Sequence, residues 1–398
     1  MSSQSPVLTG DFAVPAATVK SRSTGVPWYC YLVALGAGCS PLGSIWDISW
    51  HLSIGRDSFW TPAHMMVYLG GSVPGLICGW LVLKTTFWPD AGDQAATVKL
   101  WGFRGPIGAW VVIWGAFMMI LSGPFDNWWH NAYGLDVQII SPPHTVLALG
   151  IYAIGIGTLL FVVSWQNRAS GKDYLPANLL VLFACGVLLL ELSIFTTEYT
   201  YPNSQHGAAF YEVSCRTLPL YLIIAARLSR IRWGATLASL VYFVFRTGMV
   251  WILPLFHSVP KLAPIYNPIT HMAPPPFPLL LFVPAIGIDV LMQARDSKGG
   301  FWQDTRLAVL LGGAFFFLLV AVQWPFSDFL VHSEGARNAF FAGDRMWGYF
   351  DQIGDWCTRF WNLDNPLGGK SAVMAIILGA VCARIALWFS NWLAGVKR

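Results

Sequence analysis

The sequence predicts an all-α fold, a polytopic integral membrane helical bundle of about ten transmembrane helices with both termini in the cytoplasm. Three observations predict this class: only 11% of the 398 residues are charged, 55% are hydrophobic, and the apolar residues are gathered into long stretches. A soluble domain usually carries about 25% charged residues, so this chain cannot cover a water-facing surface of ordinary size. The same composition excludes a disordered chain, a coiled coil and a nucleic-acid-binding domain.

Ten stretches have the length of about 20 mostly apolar residues that a crossing helix needs. They cover residues 27–44, 62–83, 106–123, 143–165, 175–197, 209–226, 233–256, 275–294, 307–325 and 371–393. Residues 1–26 form a polar tail without the apolar core and cleavage site of a signal peptide. The gaps on the side of this tail hold 15 Lys and Arg, and the opposite gaps hold seven. The positive-inside rule therefore places both termini in the cytoplasm and makes residues 326–370 the longest outer loop.

A duplicated motif stands in the first two outer segments. One copy runs from Trp46 to Gly70 and the other from Phe125 to Gly150. Both copies give an aromatic residue, then Asp-x-x-Trp-His, a Gly four residues after the His, and an Asp six residues after it. Each copy then has a Pro two residues before a second His. The repeated residues are Asp47, His51 and His64 in the first copy and Asp126, His130 and His144 in the second.

The spacing of this motif predicts a metal site in each copy. Residues four apart lie on one face of a helix, and the second His follows a Pro at the start of the next helix, which brings it back beside the first pair. Two imidazoles and one carboxylate form a three-ligand set with an open coordination position, suited to copper, iron or zinc. We expect Asp57 and Asp136 to accept the remaining imidazole N–H groups. A duplicated structural turn without metal is the alternative interpretation.

The first copy resembles the signature of the C subunit of the copper membrane monooxygenases, the particulate methane and ammonia monooxygenase family. That subunit carries Asp-x3-His-x12-His, which Asp47, His51 and His64 match, followed by Asn-x3-His-x13-His. His130 and His144 match the second pattern in spacing, with Asp126 where the family has Asn. The resemblance covers residues 27–170 and implies that both sets bind copper.

Residues 171–398 resemble the A subunit of the same enzymes in the order of several short motifs. These are Arg232–Thr236, Gly287–Met292, Trp324-Pro325 and an outer loop with His332, Glu334 and Asp344. The resemblance implies an oxidoreductase that inserts oxygen from O2 into a small apolar substrate. It also implies a location in the bacterial inner membrane, with the metal motifs on the periplasmic side. Because no soluble β-rich stretch is present, it also implies a separate cupredoxin-containing periplasmic subunit and an oligomeric membrane complex. No nucleotide or flavin fingerprint occurs in the sequence.

Other polar residues have weaker patterns. Arg246 lies within an apolar stretch, where Glu191 or Asp289 could pair with it, or where it could line a polar cavity. Several residues of the outer side could join a third metal site, but their spacing forms no clean motif and loop hydrogen bonding is the expected role. They are Glu198, His206, Glu212, His257, His271, His332 and Asp344. A non-catalytic metal-binding or metal-transporting subunit remains the alternative function. Transport is disfavoured because the candidate ligands cluster on one side.

Overall fold

The computed structural model describes residues 25–89, 96–134, 141–169, 174–294, 300–361 and 364–397 and confirms an all-α helical bundle. The predicted tail 1–26 lies almost wholly outside the described residues. The helices are α1 (Trp28–Ser53), α2 (Pro62–Phe87), α3 (Ile107–Tyr133), α4 (Pro142–Gln166), α5 (Tyr174–Phe195), α6 (Thr197–Thr200), α7 (Ala208–Thr217), α8 (Pro219–Leu228), α9 (Gly234–Ile252), α10 (Phe282–Ala294), α11 (Phe301–His332) and α12 (Gly369–Leu393). A short antiparallel hairpin pairs β1 (Val98–Leu100) with β2 (Phe103–Gly105).

Eight segments of the described chain, rather than ten, are long and apolar enough to cross a membrane. They are α2, α3, α4, α5, the α7–α8 pair, α9, α11 and α12, so the chain is a multi-pass membrane protein. All but the first residue of the predicted stretch 27–44 lies within α1, which has a crossing helix's length but carries several Gly and Ser residues and one Pro that lower its hydropathy. The predicted stretch 275–294 is helical only in α10, whose 13 residues span about 20 Å. Residues 274–276 and 278 are prolines, which have no N–H for a helix interior.

Several helices continue beyond their apolar stretches at one end of the bundle. Helix α1 extends to Ser53, α3 to Tyr133 and α11 to His332. The Asp and first His of each motif therefore lie on helices, in segments that hydropathy alone had placed outside them. We call this end, where α1 and α3 finish and α2 and α4 begin, the motif end.

The first four helices form two hairpins that pack side by side. Helix α1 packs on α2, α3 packs on α4, and α2 contacts α3 between the hairpins. Small residues allow the second hairpin to close: a Cβ on Gly115 would lie 2.7 Å from the Gly150 carbonyl oxygen. The main core cluster draws residues from both halves of the chain, from Cys30 to Leu393. The residues 27–170 and 171–398 thus share one core.

The predicted outer loop 326–370 packs across the motif end. After α11 ends at His332, the backbone N–H of Tyr349 donates to the Leu52 carbonyl at 2.9 Å. The Trp361 N–H donates to the Asn203 carbonyl at 2.8 Å, and the Asn203 side chain donates back to two carbonyls of the same segment. These bonds hold the loop against the ends of the helices.

Candidate metal centre

The two hairpins place their motif residues at equivalent helix ends. Asp47 and His51 lie in the last two turns of α1, and His64 lies in the first turn of α2, directly after Pro62 opens that helix. The second hairpin repeats this with Asp126 and His130 near the end of α3 and His144 in the first turn of α4, after Pro142 and Pro143. Proline suits a helix start because its missing N–H has no intrahelical partner there. The repeat in sequence is therefore a repeat in structure.

The repeated glycine ends the first helix of each hairpin. Gly55 has φ +85° and Gly134 has φ +91°, values that other residues rarely adopt. Gly134 also has ψ −176°, a combination that is essentially restricted to glycine. Each glycine turns the chain four residues after the first motif His, so the His stays on the final helical turn and faces the start of the next helix.

The first motif brings two imidazoles to two carboxylates. The Nε2 atom of His64 lies 3.1 Å from Asp47 Oδ1 and 3.3 Å from Asp57 Oδ2. The Nε2 atom of His51 lies 3.5 Å from Asp57 Oδ2 and 3.8 Å from Asp47 Oδ2. Both imidazoles thus direct the same nitrogen toward the same pair of carboxylates.

Asp57 has a different position from the one that the sequence suggested. We expected its carboxylate to accept the remaining N–H of an imidazole, but the Nδ1 atom of His64 lies 2.9 Å from the Ser58 carbonyl oxygen instead. Asp57 approaches Nε2 of both histidines, beside Asp47. Ligand atoms of Asp47, Asp57 and His64 all lie within 4.8 Å of one another. Asp57 is therefore placed to serve as a ligand.

The second motif has the same arrangement with one carboxylate. Asp126 Oδ2 lies 3.4 Å from His130 Nε2, and Asp126 Oδ1 lies 3.5 Å from His144 Nε2. The Nδ1 atom of His130 lies 3.2 Å from the Gly134 carbonyl oxygen, so the glycine that ends α3 also orients the imidazole. Asp136 lies outside the described residues.

One carboxylate oxygen in each motif is buried without a hydrogen-bond partner among the described residues. These atoms are Asp47 Oδ1 and Asp126 Oδ1, which occupy equivalent positions in the two hairpins and face an imidazole Nε2. A buried carboxylate oxygen without a partner is costly, because desolvation is not repaid. A cation between the carboxylate and the imidazoles would satisfy both atoms, and the donor set fits a metal ion on this ground.

The sites remain open to their surroundings. The side chain of His51 is 48% exposed, and that of His144 is 36% exposed. A metal held by these side chains would keep an accessible coordination position.

Tyr68 connects the two motifs, and nothing in the repeat pattern singled it out. Its ring lies 6.2 Å from the His64 ring and 5.1 Å from the Phe59 ring. A Cβ on Gly123 would lie 3.8 Å from the Tyr68 hydroxyl, so this side chain reaches from α2 to α3. Asp47, Asp57 and Asp126 all act electrostatically on its hydroxyl. The two candidate sites are thus neighbours.

Among the described residues only Asp47, Asp57 and His64 bring one ligand atom each within 4.8 Å of one another, so neither His51 nor the second motif belongs to a set this compact. His206 is stacked between Trp324 and Phe360, with ring centroids 3.8 Å and 3.6 Å away. Burial lowers the pKa of His206. Three of the other residues form ion pairs with near neighbours in the chain: His332 with Asp328 at 2.9 Å, Glu334 with Arg337 at 2.7 Å and Asp344 with Arg345 at 4.0 Å. The rings of His257 and His271 lie 4.4 Å apart. Glu198 and Glu212 form no ion pair with a described residue.

The intramembrane charges do not pair in the way that the sequence allowed. Asp289 accepts hydrogen bonds from the backbone N–H groups of Ala235 and Thr236 and from the Thr236 hydroxyl, so it caps the start of α9. Both carboxylate oxygens of Glu191 are buried without a partner among the described residues. Arg246 is bonded to neither acid and lines a cavity.

Comparisons with protein-family models, with curated proteins and with solved structures find no match to this chain.

Proposed function

We propose that this chain is a copper-binding subunit of a membrane oxidoreductase of the monooxygenase type. The observation that carries the proposal is the recurrence of one arrangement at equivalent ends of two hairpins: a buried carboxylate oxygen that faces an imidazole Nε2 atom, at 3.1 Å in the first motif and 3.5 Å in the second. The proposed ligands are Asp47, His51 and His64, joined by Asp57, in the first site, and Asp126, His130 and His144 in the second.

The surroundings of the histidines suit this role. A metal-binding imidazole usually has its other nitrogen held by a carbonyl or carboxylate, which fixes the ring orientation. Backbone carbonyls of Ser58 and Gly134 lie beside Nδ1 of His64 and His130, and Nε2 of each ring faces a carboxylate of its motif. The turn geometry thus orients each ring before any ion binds.

Copper is proposed because of the resemblance to the copper membrane monooxygenases; the donor set alone also suits iron and zinc. Bound copper would supply the one-electron chemistry by which O2 is reduced and one oxygen atom enters a small apolar substrate. The protein's part is to hold the imidazoles and carboxylates at the end of an apolar bundle. There, a substrate dissolved in the bilayer and electrons from a quinol or a periplasmic donor can both reach the site.

The wider assignment follows from the same resemblance. We propose the bacterial inner membrane as the location, with the motif end on the periplasmic side. In this arrangement residues 171–398 correspond to the A subunit, and a separate cupredoxin-containing subunit completes an oligomeric complex.

Metal content tests the sites directly. The purified full-length chain is loaded with copper, freed of excess ion, and analysed by mass spectrometry beside His51→Ala and His130→Ala. We expect each variant to lose one site's share of the copper. The matched control is His257→Ala, a histidine of the same chain outside both motifs, which retains the wild-type content. Unchanged copper in both motif variants refutes the site assignment.

Turnover separates the proposed enzyme from a non-catalytic metal-binding or metal-transporting subunit. Membranes containing the chain and its neighbouring gene products are supplied with O2, a quinol and either ammonia or short hydrocarbons. Product formation that His51→Ala or His130→Ala abolishes supports the oxidoreductase. Copper binding without product under all these conditions favours the non-catalytic subunit.

A further inference from the structure

Two histidines outside both motifs lie opposite each other in the chain that connects α9 to α10. His257 and His271 form an antiparallel bridge between two short extended segments. Backbone N–H groups of Ser258 and Met272 donate across this pairing at 3.0 Å each, one on either side of the two histidines. The histidines therefore occupy a non-hydrogen-bonded position, where opposite residues have Cα atoms about 4.5 Å apart and side chains at their closest.

The bridge places the two imidazoles side by side on one face of the pairing. Their ring centroids lie 4.4 Å apart with an angle of 35° between the ring planes, and both residues are exposed. Side chains that are direct neighbours across two strands can contact the same small ligand. A solute can therefore reach both rings at once.

Thr270 lies beside Nδ1 of both rings. Its carbonyl oxygen is 3.4 Å from Nδ1 of His257, and its hydroxyl oxygen is 3.0 Å from Nδ1 of His271. A carbonyl oxygen only accepts, so this contact places the proton of neutral His257 on Nδ1 and leaves a lone pair on Nε2. The Thr270 hydroxyl can accept from His271 in the same way. An imidazole whose Nδ1 is held by an oxygen offers Nε2 to a metal ion.

We propose that His257 and His271 together bind one divalent transition-metal ion through their Nε2 atoms. Imidazole nitrogen suits copper, nickel and zinc. A ligand distance of about 2.0–2.1 Å requires the two Nε2 atoms to lie no more than about 4.2 Å apart, which exposed rings at this spacing reach by turning about their side-chain bonds. Water fills the remaining coordination positions. The site shares no residue with the two motifs, so the proposal does not depend on whether they hold copper.

This two-histidine site lies at the motif end, close to the first motif. The Phe256 ring stacks on the Trp46 ring with centroids 6.3 Å apart, and the Lys261 N–H donates at 2.9 Å to the carbonyl of Ile54, the residue that follows α1. Two imidazoles hold an ion more weakly than three or four ligands do, so the ion exchanges with solution and is lost when free metal is removed. Copper that the motifs retain after that step therefore does not depend on His257.

Equilibrium dialysis of the full-length chain against nickel ions tests the proposal. The chain is first loaded with copper and freed of excess ion, and bound nickel is then measured at a series of fixed free concentrations. We expect the wild type to bind one more nickel ion per chain than His257→Ala or His271→Ala. The double variant loses no more than either single variant, because one ion is shared, whereas two independent imidazoles would give additive losses. The difference between wild type and variant is the same whether or not the motifs have filled with copper.

A histidine elsewhere in the chain provides the matched control. His332→Ala removes an imidazole that is 46% exposed and lies outside the pair, so it retains the wild-type nickel binding. The Tm of each variant without metal shows whether it folds, and His257→Gln replaces His257→Ala if the alanine variant does not. The proposal is overturned by a wild type that binds no more nickel than the single variants, by additive losses in the double variant, or by an equal loss in His332→Ala.

Discussion

The two glycines that end α1 and α3 allow one perturbation to be made twice in different surroundings. Gly55→Ala and Gly134→Ala each add a single methyl group at φ +85° or φ +91°. Replacing glycine by alanine favours folding by about 0.4–1 kcal/mol through the unfolded chain when the conformation is compatible. The positive φ of Gly55 and Gly134 is not compatible with alanine. Holding a residue with a side chain in this left-handed conformation costs about 1–3 kcal/mol.

The surroundings predict different costs for the two variants. A Cβ on Gly134 meets no atom of the described residues within 4 Å, so only the conformational cost applies. A Cβ on Gly55 would lie 2.3 Å from the Tyr349 hydroxyl oxygen and 3.0 Å from its Cζ. Tyr349 cannot easily retreat, because its side chain is buried and its backbone is bonded to Leu52, Tyr266 and Asn267. Overpacking of this kind adds about 1–3 kcal/mol, so Gly55→Ala costs about 2–6 kcal/mol in all.

Denaturant unfolding in detergent micelles measures both costs, and copper content measures whether the nearby imidazole is still held. We expect Gly55→Ala to be the less stable variant, and Tyr349→Phe to restore part of its loss because the closest atom is removed. Equal losses in the two single variants, or no recovery in the double variant, would refute the steric part of this reasoning. A loss below 0.5 kcal/mol at Gly134, about the size of a surface substitution, would refute the conformational part.

Two further substitutions examine polar contacts away from the motifs. Asp289→Asn keeps one oxygen for the three donors at the start of α9, so we expect a loss of about 1–3 kcal/mol, measured as a lower Tm than that of the wild type. His206 has a folded-state pKa below that of the unfolded chain, because burial disfavours its charged form. The unfolded state therefore binds more protons between the folded pKa and about 6.5, and stability falls as pH falls through that window. His206→Gln removes this part of the pH dependence, and an unchanged difference in Tm between pH 7.5 and pH 5.5 contradicts it.

Local pattern was sufficient for the class of fold and for much of the first site. The four-residue spacing of Asp47 and His51 and the proline before His64 are local features. The turn between α1 and α2 is short, so few arrangements of these two helices are possible. No comparable local rule predicts where the helices end: α1 and α3 continue through polar residues that hydropathy alone assigns to loops. The last turns of α1 are held by hydrogen bonds that Ser49, Ser53 and Leu52 make to Ala273 and Tyr349, which are far away in the chain.

Asp57 illustrates where local reasoning stops. It stands six residues after His51, in the turn, where the helical period no longer fixes which way a side chain points. Its position beside the Nε2 atoms depends on the turn that begins at Gly55, and the Nδ1 atom that we expected it to bind is taken by the Ser58 carbonyl. Since a backbone carbonyl is present at every residue, no sequence pattern distinguishes this competitor in advance.

Arg246 shows the same limit at longer range. A charged residue in an apolar stretch indicates a functional residue or one paired with an opposite charge. The pattern does not predict which residue is the partner. Glu191 and Asp289 were the available acids, but Asp289 is bound to the start of α9 at the opposite end of that helix from the cavity. What surrounds Arg246 comes from α1, α6 and the prolines before α10, which no periodicity connects. The extended proline segment lines the cavity beside Arg246, so the residues that interrupt the predicted crossing helix at 275–294 also form part of the surroundings of Arg246.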